Sequence, residues 1–122
     1  MVIDTSAILA IHFNEPTAAW VVAQMSSTGR VLMSTVNLAE ALMRLRDAQP
    51  AKFDQLEADI LASSIEFVSP DVSQTKVASR ARNQYPLNFG DCFAYALAKS
   101  TGLPLLTLDA DFRKTDILVV SP

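Results

Sequence analysis

The sequence is poor in the side chains that most often build metal clusters and nucleophilic triads. It contains one cysteine, Cys92, which cannot form an internal disulfide or a cysteine-based zinc site. We expect Cys92 to pack in the interior. His12 is the only histidine and has no evident acid–base partner, which gives little support to a Ser-His hydrolase.

Long hydrophobic runs and a basic excess are also missing. No apolar run approaches the ~18 residues of a membrane span, and no basic leader with an apolar stretch opens the chain, so we expect a cytoplasmic protein. The 10 basic and 13 acidic residues give a net charge of −3, which argues mildly against nucleic-acid binding through bulk basicity. If several acids held divalent cations, however, the local field would be positive where phosphate binds.

The 122 residues, half of them hydrophobic, predict one compact domain over residues 1–122. Short apolar runs alternate with segments of helical periodicity, without repeats or linkers. This alternation predicts an α/β fold, with a mainly parallel sheet covered by helices on both faces. The predicted strands are Val2–Ile3, Val31–Met33, Ile65–Val68, Leu105–Thr107 and Ile117–Val120; the predicted helices are Ala7–Phe13, Thr17–Ser27, Val36–Asp47, Ala51–Ser63, a segment from Asp71 to Asn83, and Phe89–Ser100, with a helical turn at Asp109–Phe112.

Carboxylates recur at or near the predicted carboxyl ends of the strands, the edge where open parallel sheets bind ligands. Asp4 follows the first strand, and Asp109 and Asp111 follow the strand that begins at Leu105. Glu40 interrupts an apolar helical stretch, and Asp91 stands in the first turn of a helix. Convergent carboxylates suit hard cations such as Mg²⁺ or Mn²⁺, which can activate water.

Each acid also has a purely structural explanation. Asp4 can cap the helix that follows it, Asp91 can be the third-position partner of an Asn88 cap, and Asp109 or Asp111 can cap a single turn. Glu40 could lie on an exposed stripe or pair with Arg44, four residues later. The joint placement of acids at four sites along one edge carries more weight than any single acid.

Four segments make the sequence resemble the PIN-domain ribonucleases, and among them the VapC-type toxins of bacterial toxin–antitoxin pairs. They are Val2–Ala7, the segment from Ser34 to Glu40, Leu87–Ala98, which is the most specific of the four, and Leu105–Phe112. The resemblance covers the whole chain.

This resemblance implies a three-layer α/β/α sandwich, metal-dependent endonucleolytic cleavage of RNA with Mg²⁺ or Mn²⁺, and a cognate antitoxin that covers the toxin. By position, Asp4, Glu40 and Asp91 are the core catalytic and metal-binding acids. Asp109 is the favoured fourth acid, and Asp111 stays open as the alternative. Hydrolysis would then use a metal-activated water as the nucleophile.

Other residues are candidates for supporting roles. Ser6 is expected either to hydrogen-bond a metal ligand or phosphate or simply to cap a helix. A homodimer is a further expectation, from the apolar surplus and from the resemblance. The candidate RNA contacts are Arg44, Arg80, Arg82 and Arg113, with Arg46, Lys76 and Lys114 as further basic side chains.

Two alternatives to a nuclease remain at this point. A receiver-like or phosphatase-like α/β domain also uses acids at strand ends, but no second acid follows Asp4 two residues on, and no lysine follows the Leu105 strand. A non-catalytic PIN-fold binding module is the second, and it ranks lower because all the expected acids are present.

Overall fold

The computed structural model describes residues 1–122, and strands and helices alternate along the chain. The helices are α1 (Thr5–His12), α2 (Ala18–Ser26), α3 (Thr35–Ala48), α4 (Phe53–Leu61), α5 (Val72–Gln84) and α6 (Phe89–Thr101). The strands are β1 (Val2–Ile3), β2 (Leu32–Ser34), β3 (Glu66–Val68), β4 (Leu105–Leu106) and β5 (Val119–Val120), and short 3-10 helices occupy Pro50–Lys52 and Ala110–Lys114.

The five strands form one sheet in the order β3-β2-β1-β4-β5, and every neighbouring pair is parallel. Val2 on β1 is in register with Leu32 on one side and Leu105 on the other. The chain builds outward in opposite directions from β1, so β1 and β4 flank the topological switch point, where such sheets open a crevice at the strand carboxyl ends.

Helices cover both faces of the sheet, as the alternating pattern predicts. Val2 and Ile3 are adjacent on β1 and both fully buried, but they lie in different hydrophobic clusters because neighbouring strand residues point to opposite faces. The Ile3 cluster includes residues of α1, α2, α3 and α4, and the Val2 cluster includes residues of α5 and α6, among them the buried Cys92. The predicted three-layer α/β/α fold is therefore confirmed.

Several element boundaries differ from those predicted. The helix expected from Ala7 begins at Thr5, because Asp4 caps it. The second strand is shifted by one residue to end at Ser34, and the last strand is only Val119–Val120. The helix expected from Ala51 begins at Phe53, after a 3-10 turn opened by Pro50. None of the helices combines the length and apolar character that crossing a bilayer demands.

Candidate active site

Asp4 is a buried carboxylate at the carboxyl end of β1, with 2% of its surface exposed. Its Oδ1 accepts hydrogen bonds from Ser6 Oγ at 2.6 Å and from the Ala7 amide at 3.2 Å, and its Oδ2 accepts one from Thr107 Oγ1 at 2.6 Å. The predicted helix cap is thus real. Burial raises the pKa of Asp4, the three hydrogen bonds oppose that rise, and the charge of Asp109 adds to it.

Thr107 ties the ends of β1 and β4 together. Its hydroxyl, fully buried, donates to Asp4 and accepts a hydrogen bond from the Asp109 amide at 3.0 Å. Ser6 makes a parallel link, since its Oγ accepts from the Leu108 amide at 2.9 Å. Sequence reasoning missed Thr107 by assigning it to the strand; its polarity at the end of a buried strand was the available signal.

Glu40 reaches the same edge from α3. The Thr5 hydroxyl donates a hydrogen bond to its Oε1, and no ion pair joins Glu40 to Arg44. The Glu40 carboxylate lies directly over Gly90 on α6, where a Cβ would stand 2.8 Å from Oε1 and 2.9 Å from Oε2. Glu40 therefore occupies the space that a side chain at position 90 would need.

Asn37 fixes the crossing of α3 and α6 beneath Glu40. Its Nδ2 donates to the Gly90 carbonyl at 2.9 Å. Its backbone carbonyl oxygen lies 3.2 Å from Thr5 Oγ1 and shares the one hydroxyl hydrogen of Thr5 with Glu40. The side chain is 1% exposed, and its buried Oδ1 has no hydrogen-bond partner in the protein. Thr5, Asn37 and Gly90 thus hold Glu40 between three elements, a set that the sequence did not reveal.

Asp91 forms the predicted capping box with Asn88. Asn88 Oδ1 accepts from the Asp91 amide at 2.8 Å, and Asp91 Oδ2 accepts from the Asn88 amide at 3.2 Å. Burial, followed by the charges of Asp109, Asp4 and Glu40, raises the pKa of Asp91 to about 6, although the hydrogen bond from the Asn88 amide opposes the rise. Asp91 therefore both caps α6 and belongs to the acidic cluster.

The two candidates for the fourth acid are placed differently. Asp109 faces the cavity that Asp4 and Asp91 line, and its Oδ1 also accepts from the Asp111 amide at 2.9 Å. Asp111 does not line that cavity, and its Oδ1 lies 3.5 Å from Lys114 Nζ. The structure brings Asp109 to the other acids and leaves Asp111 outside.

A cavity of about 330 Å³ opens between these side chains at the switch point. As the side chains stand in this structure, no group of three or more His, Cys, Asp or Glu residues is arranged so that it could hold a metal ion. Fewer protein ligands suffice for Mg²⁺ or Mn²⁺, because Mg²⁺ keeps several waters, and the oxygen donors present are the kind that both cations prefer. The lining residues are Asp4, Thr5, Ser6, Leu9, Phe13, Glu15, Glu40, Arg44, Asn88, Asp91, Leu108 and Asp109.

Of the candidate RNA contacts, only Arg44 lines this cavity. Arg82 donates to the Leu87 carbonyl and so supports the segment before α6. The Arg113 guanidinium donates to Ser121 Oγ and to the Pro122 carbonyl at 2.9 Å, and Arg80 is exposed on α5. These three arginines do not line the cavity.

The sequence profile of the PIN domain matches residues 1–118. The chain belongs to the PIN-domain family. Within that family it is 36% identical to the "Ribonuclease VapC" of Mycolicibacterium smegmatis, over 98% of this chain and 99% of that protein. It is 35% identical to "Ribonuclease VapC30" of Mycobacterium tuberculosis, over 99% of this chain and 98% of the relative.

Solved structures of VapC proteins show the same PIN fold. The crystal structure of VapC20 from Mycobacterium tuberculosis, described as a sarcin-ricin loop cleaving toxin, matches with a TM-score of 0.82 at 17% identity, over 99% of this chain and 98% of that chain. VapBC2 from Rickettsia felis, bound to a promoter DNA fragment, matches with a TM-score of 0.78 at 15% identity, over 99% of this chain and 97% of that one. At such identities the likeness concerns the fold alone.

Proposed function

We propose that this PIN domain is a metal-dependent endoribonuclease and the toxin of a toxin–antitoxin pair, with residues 1–122 forming one nuclease domain. The observation that carries the proposal is the meeting of Asp4, Glu40, Asp91 and Asp109 around one cavity at the β1/β4 switch point. None of the four makes a salt bridge within the protein. Four uncompensated acids are costly to hold together unless a cation joins them.

Asp4, Asp91 and Asp109 are the residues that would hold Mg²⁺ or Mn²⁺, either directly or through waters that the cation keeps. Bound there, the cation would lower the pKa of water and stabilise the negative charge of the phosphodiester as it is hydrolysed. The three hydrogen bonds to Asp4 favour its ionised form, which is the form that can coordinate metal. The hydroxyls of Ser6 and Thr107 therefore offset part of the effect of burial, which disfavours the ionised carboxylate.

Glu40 and Arg44 supply the remaining functions. One Glu40 oxygen accepts from Thr5, which fixes the carboxylate so that it can accept a hydrogen bond from the attacking water. Arg44 lies one turn further along α3 and lines the same cavity, where a guanidinium can bind phosphate oxygens. The positive charges of Arg44 and of the bound cation would offset the negative charge of the acids in this cavity, where the phosphate binds.

The partners follow from the relatives. The Rickettsia felis structure is of a VapBC complex, and a Klebsiella pneumoniae structure of the same fold is described as a toxin–antitoxin complex. By analogy, the partners of this chain are an RNA substrate in the cytoplasm and a cognate antitoxin protein; a homodimer is a further expectation. Family membership favours this function over a receiver-like or phosphatase-like domain.

The test is cleavage of total cellular RNA by purified, antitoxin-free protein in Mg²⁺, Mn²⁺ or EDTA. Asp4→Asn and Asp91→Asn are compared with Asp47→Asn, which alters an exposed acid outside the cavity. We expect cleavage that needs metal, persists in Asp47→Asn and is lost in the other two variants. Equal cutting by Asp4→Asn and Asp91→Asn would make the site assignment wrong, and no cutting by the parent would favour a binding module.

A further inference from the structure

Phe89 is an aromatic side chain displayed beside the acidic cavity. It occupies the first position of α6, two residues before Asp91, and 72% of its surface is exposed. Its ring packs edge-on against Phe93, with ring centroids 5.1 Å apart and an interplanar angle of 61°. The contact orients the Phe89 ring while leaving most of it accessible, and the hydrophobic core makes no use of this ring.

Phe89 borders an apolar groove of about 710 Å³ that adjoins the acidic cavity. Val36, Ala39 and Met43 of α3 form its opposite wall, and 66% of the Met43 surface is exposed. Glu40, Arg44 and Asn88 line both the groove and the acidic cavity, so the two spaces share a wall. A molecule that places a phosphate at the acids can continue directly into the groove.

We propose that this groove receives an unpaired nucleobase of the RNA, next to the phosphodiester that is cut, with the base stacked on Phe89. The inference rests on the proposed ribonuclease function and adds a base-binding subsite to it. Unpaired bases in RNA are commonly bound by aromatic side chains, and stacking tolerates any base because each has a π face.

Charge complementarity selects RNA over a purely apolar occupant. Arg44 stands at the boundary of the groove and the cavity and makes no salt bridge, so its guanidinium is available to the phosphate that links the two spaces. Met43, unbranched and flexible, can adjust to bases of different size across from the Phe89 ring. The groove thus combines an aromatic surface, an adaptable apolar wall and a cation at the end nearest the acids.

The experiment uses short single-stranded oligoribonucleotides, each with the fluorescent base 2-aminopurine at a different position, and an abasic version of each. Binding is measured by anisotropy in Ca²⁺, with the oligomers checked for integrity. We expect 2-aminopurine to be quenched at one position and binding there to be roughly tenfold tighter than to the abasic oligomer. Phe89→Leu should abolish both effects, whereas Phe89→Tyr should keep them.

Leu118→Ala is the matched control, because Leu118 is equally exposed, at 73%, and lies outside the groove. Unchanged quenching in Phe89→Leu, or equal loss of affinity for base-bearing and abasic oligomers, would overturn the subsite. So would a change in sedimentation of Phe89→Leu with base preference intact, since the groove would then join two copies of the chain.

RNA cleavage in Mg²⁺ is recorded with the same proteins, and it distinguishes failure of the base-binding subsite from failure of the ribonuclease function. If the parent protein cuts RNA but shows no base preference, the subsite is wrong and the ribonuclease proposal stands. If the parent neither binds nor cuts any RNA, both are wrong.

Discussion

The carboxylate of Glu40 lies against the first turn of α6, at a point where residue 90 has no side chain. We predict that Gly90→Ala displaces Glu40, since the added Cβ would stand 2.8 Å from Oε1. The far end of a flexible side chain can swing away, so the protein should stay folded while RNA cleavage falls roughly 10- to 100-fold, as for other groups that orient a metal site.

Gly29→Ala is the matched control for that prediction, because nothing lies within 4 Å of a Cβ at position 29. Steady-state cleavage kinetics and thermal melting are measured for both variants. In the double variant Gly90→Ala with Glu40→Gln, the loss should not exceed that of Glu40→Gln alone. Full activity of Gly90→Ala would show that the position of Glu40 is unimportant.

The Thr107 hydroxyl is fully buried between Asp4 and the Asp109 amide. Thr107→Val preserves shape but leaves both partners without this hydrogen bond, which should lower the free energy of unfolding by about 1–3 kcal/mol. It should also weaken Mn²⁺ binding, because loss of the donor raises the pKa of Asp4 further. Urea unfolding measures the stability, and Mn²⁺ titration measures the affinity. Thr107→Ser keeps the hydroxyl and should retain most of the stability and most of the Mn²⁺ affinity. If Thr107→Val changed neither quantity, this role of Thr107 would be contradicted.

Asp91 should make the metal-free protein less stable as the pH rises. Its pKa is about 6 in the folded state, against an ordinary value of 3.8 for an exposed aspartate, so the folded state binds the proton more tightly than the unfolded chain does. The resulting destabilisation is absent below pH 3.8, grows as the pH rises towards 6 and is complete above it. His12 acts in the opposite direction, because burial lowers its pKa and favours the neutral form.

The diagnostic is therefore the difference in melting temperature between Asp91→Asn and the parent, measured in EDTA from about pH 4 to about pH 7.5, a range that spans the titration of the carboxyl group. We expect the Asp91→Asn substitution to become relatively more stabilising as the pH rises, since His12 is common to both proteins. A difference that does not change with pH would contradict the raised pKa.

At the scale of elements, the first turn of α6 contains Phe89, Gly90 and Asp91, three residues on which the proposed site depends. Asn88→Ala removes the cap and should cost about 1 kcal/mol of stability, as should Asp71→Ala, which removes the cap of α5. Only Asn88→Ala should reduce RNA cleavage, because that cap holds the turn bearing Asp91. The RNA cleavage of the two variants is compared at urea concentrations that give them equal stability. Equal cleavage would show that the Asn88 cap does not contribute to the active site.

The element pattern was largely predictable from the sequence because caps and apolar periodicity are local. Asp4, Asn88 and Asp71 all cap helices as expected. Contacts between elements were not predictable in this way. Nothing in the local sequence indicates that Asn37 binds the Gly90 carbonyl, which is 53 positions away along the chain.

At the scale of the whole molecule, the sheet order explains why distant acids meet. Asp4 and Asp109 follow the adjacent strands β1 and β4, and α3 and α6 bring Glu40 and Asp91 to the same edge. The parallel sheet and its ligand-binding edge were predictable from alternating strands and helices, so the candidate acids at that edge could be named from the sequence. The choice between Asp109 and Asp111 depended on the path of one turn after β4, which only the structure places.

The central claim is that acids from separate elements form one divalent-cation site, in which Asp4, Asp91 and Asp109 hold the metal. The most direct measurement is Mn²⁺ binding by titration calorimetry at about pH 7.5, where a carboxyl group is ordinarily ionised. Parent protein is compared with Asp4→Asn, Asp91→Asn and Asp109→Asn, and with Asp111→Asn as the neighbouring acid outside the cavity. We predict saturable binding by the parent and by Asp111→Asn, and a large loss of affinity in the other three. Undiminished Mn²⁺ binding in Asp4→Asn and Asp91→Asn would contradict the account.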